Sequence, residues 1–600
     1  MENFWTADFE TTTDVNDCRV WAYALCNIDD PNIFFYGKSI EEFFEYLENR
    51  RKNLKLWFHN LKFDSQFILS YLLRHGYEWI PEPKERRDKT FTTLITDTGQ
   101  YYCLRVYFTV KKSYTHKVDI FDSLKIFPNF SVERVAEGFN LPIRKLSIDY
   151  KAKRPIGHEL TEQEVDYIRN DVEIMARALK IMFEQGHTRM TIASDAMKNF
   201  KDNFVGFRKK FPVLPPDVDA DIRKSYRGGF TYVNDKWKGK QVGHGIVIDV
   251  NSLYPSTLVS RECPMPYGYP KFFEGEYQED SNYPLYVQEI SVSFDIKPNH
   301  IPCVQLKKSL LFNPTEYVKS SNNQIVRLSL TKPDMELFKR QYNINYIKYH
   351  GGWKFKASFG YFDNYVNYWM SQKVKAGKEG NKPLKAISKL LLNSLYGRFS
   401  LSGKAGQKAP YLDENEIVKY AILPPEERET CYIPVGCFVT AYGRWKTITT
   451  SQTIVDYTMK KYGEDRWYYA DTDSSHTNLS DEDLEELKDI IHIDDFEIGC
   501  WAVEARFEKA IFLHAKCYIE SIDGKTNVTV AGLPKYMAPL VTFENFKRGF
   551  TTVGKSTEEL IAMAKENGAT DEELEKLHHK LTYHYVKGGV ILEDTDFTIK

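Results

Sequence analysis

The sequence predicts a multidomain protein of the α/β class. Its 600 residues exceed what one hydrophobic core usually organises, since a domain takes about 150 residues. Residues 1–190 mix short β-rich runs with amphipathic helical stretches, a pattern typical of α/β units. With 42% hydrophobic and 27% charged residues, the composition is that of a globular protein. We therefore expect several packed domains.

Bulk properties exclude several classes of protein. No run approaches the roughly 20 apolar residues that span a bilayer. The start MENFWTADFE lacks the basic end and the apolar stretch of a signal peptide, so we expect a soluble intracellular chain. The nine cysteines form an odd set without a Cys-x-x-Cys pair. This set argues against a disulfide framework or a zinc ribbon and predicts reduced thiols.

Charge is unevenly distributed, although the net charge is only −2. Residues 361–400 hold seven basic and two acidic residues, whereas residues 471–510 hold thirteen acidic and three basic ones. Either block alone is most simply a solvated face, so the motifs must decide its meaning.

The N-terminal elements are marked by capping and turn signals. Thr161 and Glu164 form a capping box that predicts the start of an amphipathic helix ending at Gly186. Asp64 is a candidate N-cap of the following apolar helix. The stretch at 211–219, FPVLPPDVD, predicts a joint, and YRGGF at 226–230 a turn whose glycines allow close backbone approach.

The remaining chain alternates β-rich and helical segments. Residues 261–358 predict a separate β-containing module without strong helices. Residues 383–396 predict a helix with Gly397 as its C-terminal cap, and a second helix follows residue 430. The tail predicts two short helices capped by Ser556 and Thr570 and a terminal hairpin in GGVILEDTDFTIK.

Three aspartates from distant segments predict a metal site. In the strand-like YYADTDSSH, Asp471 and Asp473 project to the same side and repel unless a cation lies between them. A turn with capping aspartates is the simpler alternative for this motif alone. Asp249 ends another apolar run, and the three carboxylates could hold two Mg²⁺ ions about 3.5–4 Å apart. That arrangement is typical of polymerases and nucleases.

A basic helix lies between these carboxylates in the sequence. Its polar residues Lys385, Lys389, Asn393 and Tyr396 follow at helical spacing and share one face. Lysines at this spacing suit a triphosphate, and the tyrosine suits a base or sugar. A solvated lysine stripe is the alternative.

A second carboxylate set lies near the N-terminus. Asp8 and Glu10 share a strand face, Asp64 follows in HNLKFD, and Tyr167 and Asp171 are helical neighbours. Four carboxylates with a tyrosine predict a second two-metal site that hydrolyses a phosphodiester.

These motifs carry a family resemblance. DFET, NLKFD and YIRND resemble the exonuclease motifs of DnaQ-type proofreading domains, and DVNSLYPS, KLLLNSLYG and YADTDSSH resemble the polymerase motifs of family B DNA polymerases. YRGGF, TAYGR, KCY, VTFENFKRGF and the ending FTIK extend the similarity over nearly the whole chain. It most resembles the protein-primed polymerases of phages of the phi twenty-nine type.

The resemblance implies an RNase H-like (DnaQ-type) exonuclease domain followed by a right-hand polymerase of palm, fingers and thumb with two palm insertions. The implied boundaries are: exonuclease 1–190, first part of the palm 191–260, first insertion 261–360, fingers 361–400, second insertion 401–428, second part of the palm 429–530 and thumb 531–600. Two departures from the family pattern stand out: residues 373–385 are longer, which leaves the role of Lys373 open, and 556–583 is an addition to the thumb.

The resemblance also implies roles for individual residues. Polymerase metal ligands are Asp249, Val250, Asp471 and Asp473, and nucleotide contacts are Tyr254 as the steric gate, Lys373, Lys385, Lys389, Asn393 and Tyr396. Exonuclease metal ligands are Asp8, Glu10, Asp64 and Asp171, with Tyr167 orienting the attacking water and Lys145 assisting. DNA contacts are Thr11, His59, Asn60, Phe63, Ser123, Leu124, Tyr226, Gly228, Gly229, Thr440, Arg444, Lys516 and Tyr518.

The implied function is DNA-dependent DNA synthesis of a phage genome, started on a terminal protein and displacing the non-template strand, with 3′–5′ exonuclease proofreading. The implied cofactors are two Mg²⁺ ions per site, replaceable by Mn²⁺. The implied partners are primer-template DNA, single-stranded DNA, deoxynucleotides and terminal protein, for a monomer in the cytoplasm of an infected bacterium. Three alternatives remain: a family B polymerase that needs a nucleic-acid primer, a nuclease whose C-terminal part only binds DNA, and a non-catalytic DNA clamp.

Overall fold

An eight-stranded sheet organises the N-terminal unit. The computed structural model describes residues 3–50, 52–149, 152–306 and 311–600. The elements of this unit are: β1 Phe4–Thr11, β2 Val20–Asn27, β3 Phe34–Gly37, α1 Ile40–Asn49, β4 Leu54–Phe58, α2 Leu61–Arg74, β5 Glu78–Trp79, β6 Thr90–Ile95, β7 Tyr101–Lys111, β8 Tyr114–Asp122, α3 Val132–Gly138 and α4 Glu162–Glu184. The strand order is β3-β2-β1-β4-β8-β7-β6-β5, with β1, β4 and β8 parallel.

Helices cover both faces of this sheet. Every residue of β2 is buried, because Ala22 and Ala24 face one core that α4 completes while Tyr23 and Leu25 face another that α1 and α2 complete. The capping box at Thr161 is present, so the predicted start of α4 is confirmed. The N-cap prediction for Asp64 is wrong: α2 begins after Asn60, and Asp64 lies in the first turn.

A second large sheet lies in the C-terminal part. The connecting elements are: α5 Ile192–Asp202, α6 Phe207–Lys210 and α7 Pro216–Arg223. The sheet and its helices comprise: β9 Thr231–Val233, β10 Gln241–Val242, β11 Gly245–Val250, α8 Leu253–Val259, α12 Ile433–Tyr462, β20 Trp467–Asp471, β21 Ser474–Thr477, α13 Asp481–Ile491, β22 Trp501–His514, β23 Cys517–Ile522 and β24 Lys525–Val530. The order is β24-β23-β22-β11-β21-β20-β9, and β10 also pairs with β22.

The β-containing module predicted between residues 261 and 358 is a four-stranded antiparallel sheet. Its elements are: β12 Met265–Phe273, β13 Leu285–Ile296, β14 Val326–Thr331, α9 Lys332–Gln341 and β15 Tyr342–Ser358, in the order β12-β15-β13-β14. The prediction missed α9, which has a clear start signal: the Thr331 hydroxyl accepts the Asp334 N–H, and Pro333 occupies the first turn.

Two helices form the basic region, α10 Asp363–Lys378 and α11 Lys382–Phe399. Gly397 does not cap α11, contrary to the prediction, because the helix continues to Phe399. The Phe399 ring is fully buried among Phe211 and Phe362, so burial of one more apolar turn outweighs the stop signal.

Small hairpins complete the structure. They are: β16 Lys404–Ala405 with β19 Glu426–Glu427, β17 Lys408–Leu412 with β18 Val418–Ile422, and β25 Lys580–Val586 with β26 Gly589–Thr595. The predicted capping boxes at Ser556 and Thr570 are present on α14 Thr557–Glu566 and α15 Asp571–Glu575. Single 3₁₀ turns cover Pro83–Glu85, Ser123–Lys125 and Lys535–Leu540. Among the described residues, no helix has the length and apolar character needed to cross a membrane.

Candidate functional site

Three of the four predicted N-terminal carboxylates converge in the structure, and Asp64 lies outside their group. Asp8 and Glu10 alternate on β1 with Ala7 and Phe9, which enter the core, so both acids project to the opposite side. Asp171 on α4 completes a group whose ligand oxygens all lie within 4.8 Å of one another. Strand β1 and helix α4, brought together only by tertiary packing, thus place these three acids close to one another.

Like charges in this group resist ionisation. Burial, and then the charge of Asp171, raises the pKa of Asp8 to about 7. Burial, and then the charge of Asp8, raises the pKa values of both Glu10 and Asp64 well above the ordinary range. One oxygen each of Asp64 and Asp171 is buried without a hydrogen-bond partner in the described structure. Such oxygens need a cation or protons.

Lys145 and Tyr167 stand beside this group. The Lys145 ammonium forms an ion pair with the second oxygen of Asp171 and lies 5.3 Å from the centre of the Tyr167 ring. The ion pair lowers the pKa of Asp171, but burial is larger and the net shift is upward. Lys145 therefore offsets part of the negative charge of Asp171, and the remaining charge of the group still favours binding of a cation.

The segment before α2 forms the edge of this site. The Asp122 side chain, which the sequence prediction missed, accepts the Asn60 and Leu61 N–H groups at 3.1 and 3.3 Å. The His59 ring is held between the Ser123 hydroxyl at 2.9 Å and a backbone carbonyl, and burial lowers its pKa to about 4. Asp122 could have been found from its position at the end of a buried strand, next to the predicted contacts.

The residues predicted to contact single-stranded DNA near this site fall into two groups. Thr11, Asn60, Phe63 and Leu124 are half-exposed, so their side chains line an accessible surface. Ser123 has no exposed surface and donates to the Phe58 carbonyl at 3.0 Å. Its hydroxyl positions His59 rather than facing solvent.

The second site lies where β11 meets the β20–β21 hairpin. Asp249 is paired with Ser474, and the Val250 N–H donates to the Asp473 carbonyl at 2.8 Å. The expectation that Asp471 and Asp473 share a face of one strand is wrong. Thr472 between them has a φ of +64°, which ends β20 and turns the chain. Strand alternation does not apply across that turn.

Asp249 and Asp473 still form an electrostatic pair. Burial, and then the charge of Asp473, raises the pKa of Asp249 to about 7, while Lys389 opposes the shift. Burial is also the main cause of the raised pKa of Asp473. Glu504 on β22 contributes to both shifts, and the sequence prediction missed it. It lies in the alternating strand AVEARFEKA, whose periodicity alone does not separate it from solvent-facing acids.

Asp471 has other partners than Asp249. Its oxygens accept from the Lys516 ammonium at 3.1 Å and from the Thr231 hydroxyl at 3.0 Å. The Tyr469 hydroxyl accepts the Lys516 N–H at 3.0 Å, and the Tyr518 ring lies 5.2 Å from that of Tyr469. Asp471 thus fixes the strand end that carries the predicted primer contacts.

The basic helix presents its predicted face. Lys385, Lys389 and Asn393 are exposed, whereas Leu391 and Leu395 are buried. Burial, and then the charges of Lys389 and Lys385, lowers the pKa of Lys373. The longer segment at 373–385 therefore still brings Lys373 near both lysines of α11.

The Tyr254 ring is closely packed by its neighbours. Its ring centre is 4.5 Å from that of Tyr396. A Cβ on Gly229 would lie 2.9 Å from the Tyr254 hydroxyl, and a Cβ on Gly443 would lie 3.0 Å from the ring. Gly229 thus leaves room for both the Thr472 side chain and the Tyr254 hydroxyl, and Gly443 leaves room for the Tyr254 ring.

Arg444 and Thr440, which we expected at DNA, are buried at 2% exposure each. Arg444 donates to both oxygens of Asp334 at 2.8–3.1 Å and to the carbonyls of Arg227 and Gly228 at 2.7 and 2.8 Å. Thr440 donates to carbonyls of its own helix. Arg444 therefore holds the backbone of the YRGGF turn at Arg227 and Gly228 rather than facing a DNA groove.

Known proteins resemble this chain over its full length. Residues 46–159 and 151–491 match a family described as DNA polymerase type B, organellar and viral. The DNA polymerase of Bacillus phage M2 is 40% identical over 617 residues, and that of Bacillus phage phi29 is 39% identical over 618, each covering 99% of both chains. The DNA polymerase of Streptococcus phage Cp-1 is 32% identical over 629 residues, covering 100% of this chain and 99% of that one.

Solved structures agree with these relatives. Phi29 DNA polymerase complexed with primer-template DNA and incoming nucleotide substrates superposes with a TM-score of 0.88 at 37% identity, covering 100% of both chains. The same polymerase complexed with single-stranded DNA gives a TM-score of 0.87, again with full coverage of both chains.

Proposed function

Because the chain belongs to the organellar and viral type B DNA polymerases and is a phage DNA polymerase of the phi29 type, we propose that it replicates a phage genome by protein-primed, strand-displacing synthesis. Its fold, as predicted, is that of a family B polymerase with exonuclease and polymerase domains. We propose in addition a 3′–5′ proofreading exonuclease. The observation that supports both activities is that the chain has two separate carboxylate sites, one on each of its two eight-stranded sheets.

Divalent cations fit both sites. In the first, Asp8, Glu10 and Asp171 offer clustered oxygens, and Asp64 is close enough for the charge of Asp8 to raise its pKa. One oxygen each of Asp64 and Asp171 is buried without a partner. Asp249 and Asp473 would hold the cation in the second, with Val250 contributing only backbone atoms and Asp471 supporting through Lys516. When bound, Mg²⁺ or Mn²⁺ would polarise the phosphoryl oxygen and stabilise the attacking and leaving oxygens of in-line transfer.

In the trimming reaction the chain orients the strand and controls charge. The Asn60 amide and the Phe63 ring border the first site and suit a single strand. Lys145 neutralises part of the charge on Asp171, and its ammonium lies over the Tyr167 ring. This arrangement keeps both side chains where a water and a scissile phosphate would meet.

In the extension reaction the lysines of α10 and α11 bind the triphosphate. The charges of Lys385 and Lys389 repel that of Lys373. An anion placed among the three lysines would be attracted by all of them. The Tyr254 ring, seated by glycines and facing Tyr396, would bound the sugar and exclude a 2′-hydroxyl. Lys516 and Tyr518 would hold the primer end beside Asp471.

We propose the predicted domain boundaries together with this assignment. The sheet of β12–β15 with α9 would be the first palm insertion, which contacts the terminal protein, and the hairpins of 401–428 the second. Partners would be primer-template DNA, single-stranded DNA, deoxynucleotides and terminal protein. The enzyme would act as a monomer in the cytoplasm of the infected bacterium.

Two substitutions test the separation of activities. Asp249→Asn should abolish nucleotide incorporation and preserve degradation of a single-stranded oligonucleotide. Asp8→Ala should do the reverse. A nuclease whose C-terminal part only binds DNA predicts that Asp249→Asn changes nothing.

Priming needs its own assay. The enzyme is incubated with labelled dATP, candidate terminal protein and Mg²⁺ or Mn²⁺, and labelled protein is separated on a denaturing gel. A protein-linked nucleotide supports protein priming. If extension occurs only from a DNA primer, the enzyme is instead a nucleic-acid-primed family B polymerase.

A further inference from the structure

A hairpin near the C-terminus packs directly on the N-terminal unit. The β25–β26 turn places Gly589 against the Phe67 ring, where a Cβ would lie 2.4 Å from a ring carbon. Val590 is fully buried in the same core as Phe67, so the hairpin is joined to α2 by apolar burial. This contact is tight because only a residue without a side chain fits.

The neighbouring tyrosine reaches the edge of the first carboxylate site. The Asn60 amide donates to the Tyr583 hydroxyl at 3.0 Å across 523 residues of sequence. The Phe63 and Tyr583 ring centres are 5.9 Å apart, and the Lys62 ammonium lies 5.1 Å from the Tyr583 ring centre. An amide, an ammonium and a ring from the short segment 60–63 thus surround one tyrosine.

These four side chains are all half-exposed, so they line a surface rather than a core. An aromatic face binds a base, an ammonium binds a backbone phosphate and an amide binds either. The surface continues toward the catalytic carboxylates, since Asp64 follows Phe63 and its charge reaches the Tyr583 hydroxyl. With the 3′ terminus at these carboxylates, as the proposed exonuclease function requires, a ring at this place lies beside the bases close to that terminus.

We propose that Tyr583 is part of the single-strand binding surface of the trimming site and stacks on a base close to the 3′ terminus. Asn60, through its hydrogen bond, fixes the ring for that contact. The inference rests on the proposed exonuclease function. It assigns a role to Tyr583, the last residue of the stretch 556–583 that the family resemblance leaves unexplained.

The test compares three variants of the full-length enzyme. Tyr583→Ala removes the ring, Tyr583→Phe removes only the hydroxyl, and His584→Ala is a matched control. His584 lies next in the strand, is exposed and pairs with Glu593 at 2.9 Å, so strand alternation directs it away from α2. Each variant is assayed for KM and kcat on a single-stranded oligonucleotide and for extension of a paired primer.

Tyr583→Ala should raise the KM for the single strand about 5- to 100-fold, as loss of one base–aromatic stack does, with kcat nearly unchanged. Tyr583→Phe should show a smaller rise because the ring remains. His584→Ala and extension of a paired primer should be unaffected. An unchanged KM in Tyr583→Ala, or an equal rise in His584→Ala, overturns the proposal.

A binding readout separates this proposal from the exonuclease proposal. A strand carrying 4-thiothymine next to its 3′ end is irradiated with the wild-type enzyme, and cross-linked peptides are identified by mass spectrometry. This measurement needs no hydrolysis. A cross-link within residues 580–586 supports the proposal even for an enzyme that fails to trim, and a cross-link confined to other segments overturns it.

Discussion

The ion pair between Arg444 and Asp334 gives the sharpest test of the structure. The side chains of Arg444 and Asp334 are 3% and 9% exposed and share hydrogen bonds of 2.8–3.1 Å. A second buried guanidinium, that of Arg227, lies near the same carboxylate, and burial lowers its pKa. Asp334 therefore balances two cations that are both largely buried.

Asp334→Ala should destabilise the protein by about 3–5 kcal/mol, the usual cost of leaving a buried charge unpaired. Because Arg444 also holds the Arg227 and Gly228 carbonyls, the YRGGF turn should loosen beneath Tyr254. Nucleotide incorporation should fall while degradation of single strands at the distant first site persists. Thermal unfolding and the two activities are measured on the same preparations.

Salt dependence separates a buried positioning role from contact with DNA. Loss of one phosphate contact lowers the slope of log affinity against log salt by about 0.9. Arg444→Lys should leave that slope unchanged and reduce thermal stability. The control is Lys516→Ala, since this side chain is 62% exposed and should lower the slope. A lower slope for Arg444→Lys at unchanged stability refutes the buried role.

Three further predictions follow from local geometry. Gly443→Ala should displace the Tyr254 ring, which would lie 3.0 Å from the new Cβ. The KM for deoxynucleotides, measured by steady-state incorporation, should therefore rise about tenfold. An unchanged KM would contradict the close packing of Gly443 against this ring. The pKa of Asp249 is raised to about 7, so Mg²⁺ must displace a proton from this carboxyl below pH 7. The affinity of the site for Mg²⁺ should therefore weaken as pH falls below 7, by up to tenfold per pH unit. A calorimetric Mg²⁺ titration at pH 6.5 that shows no proton release would contradict this prediction. Burial of Glu164 is outweighed by bonds from Thr161, His158 and Arg154, which lower its pKa to about 2; its stabilisation is therefore present above about 4.5 and lost as pH falls toward 2. Glu164→Gln should accordingly lower thermal stability at pH 7 and change it much less at pH 3, and an equal loss at both values would contradict the charge-dependent reading.

Elements whose signals are local could be predicted from the sequence. The capping boxes at Thr161, Ser556 and Thr570 are present where predicted, because each depends on side chains three residues apart. The common face of Asp8 and Glu10 follows from strand alternation within β1. The motifs likewise identified the family, the group of Asp8, Glu10 and Asp171, and the pair of Asp249 and Asp473.

Local signals failed where a distant contact or a turn decided the outcome. Alternation did not apply to Asp471 and Asp473, since Thr472 adopts a left-handed conformation. Gly397 did not end α11, because Phe399 gains a buried aromatic cluster.

By itself the sequence determined the fold class, the family and the grouping of Asp8, Glu10 and Asp171, since periodicity, caps and motifs are readable over a few residues and the motifs match a known family. It did not determine that Asp471 pairs with Lys516 rather than with the cation site at Asp249. Only the tertiary structure decided that Arg444 is buried against Asp334, that Glu504 and Asp122 support the sites, and that Tyr583 lies beside Asn60. These contacts join segments that are far apart in the chain. No residue type or spacing encodes them, because burial and charge are set by whatever the folded chain brings next to each side chain.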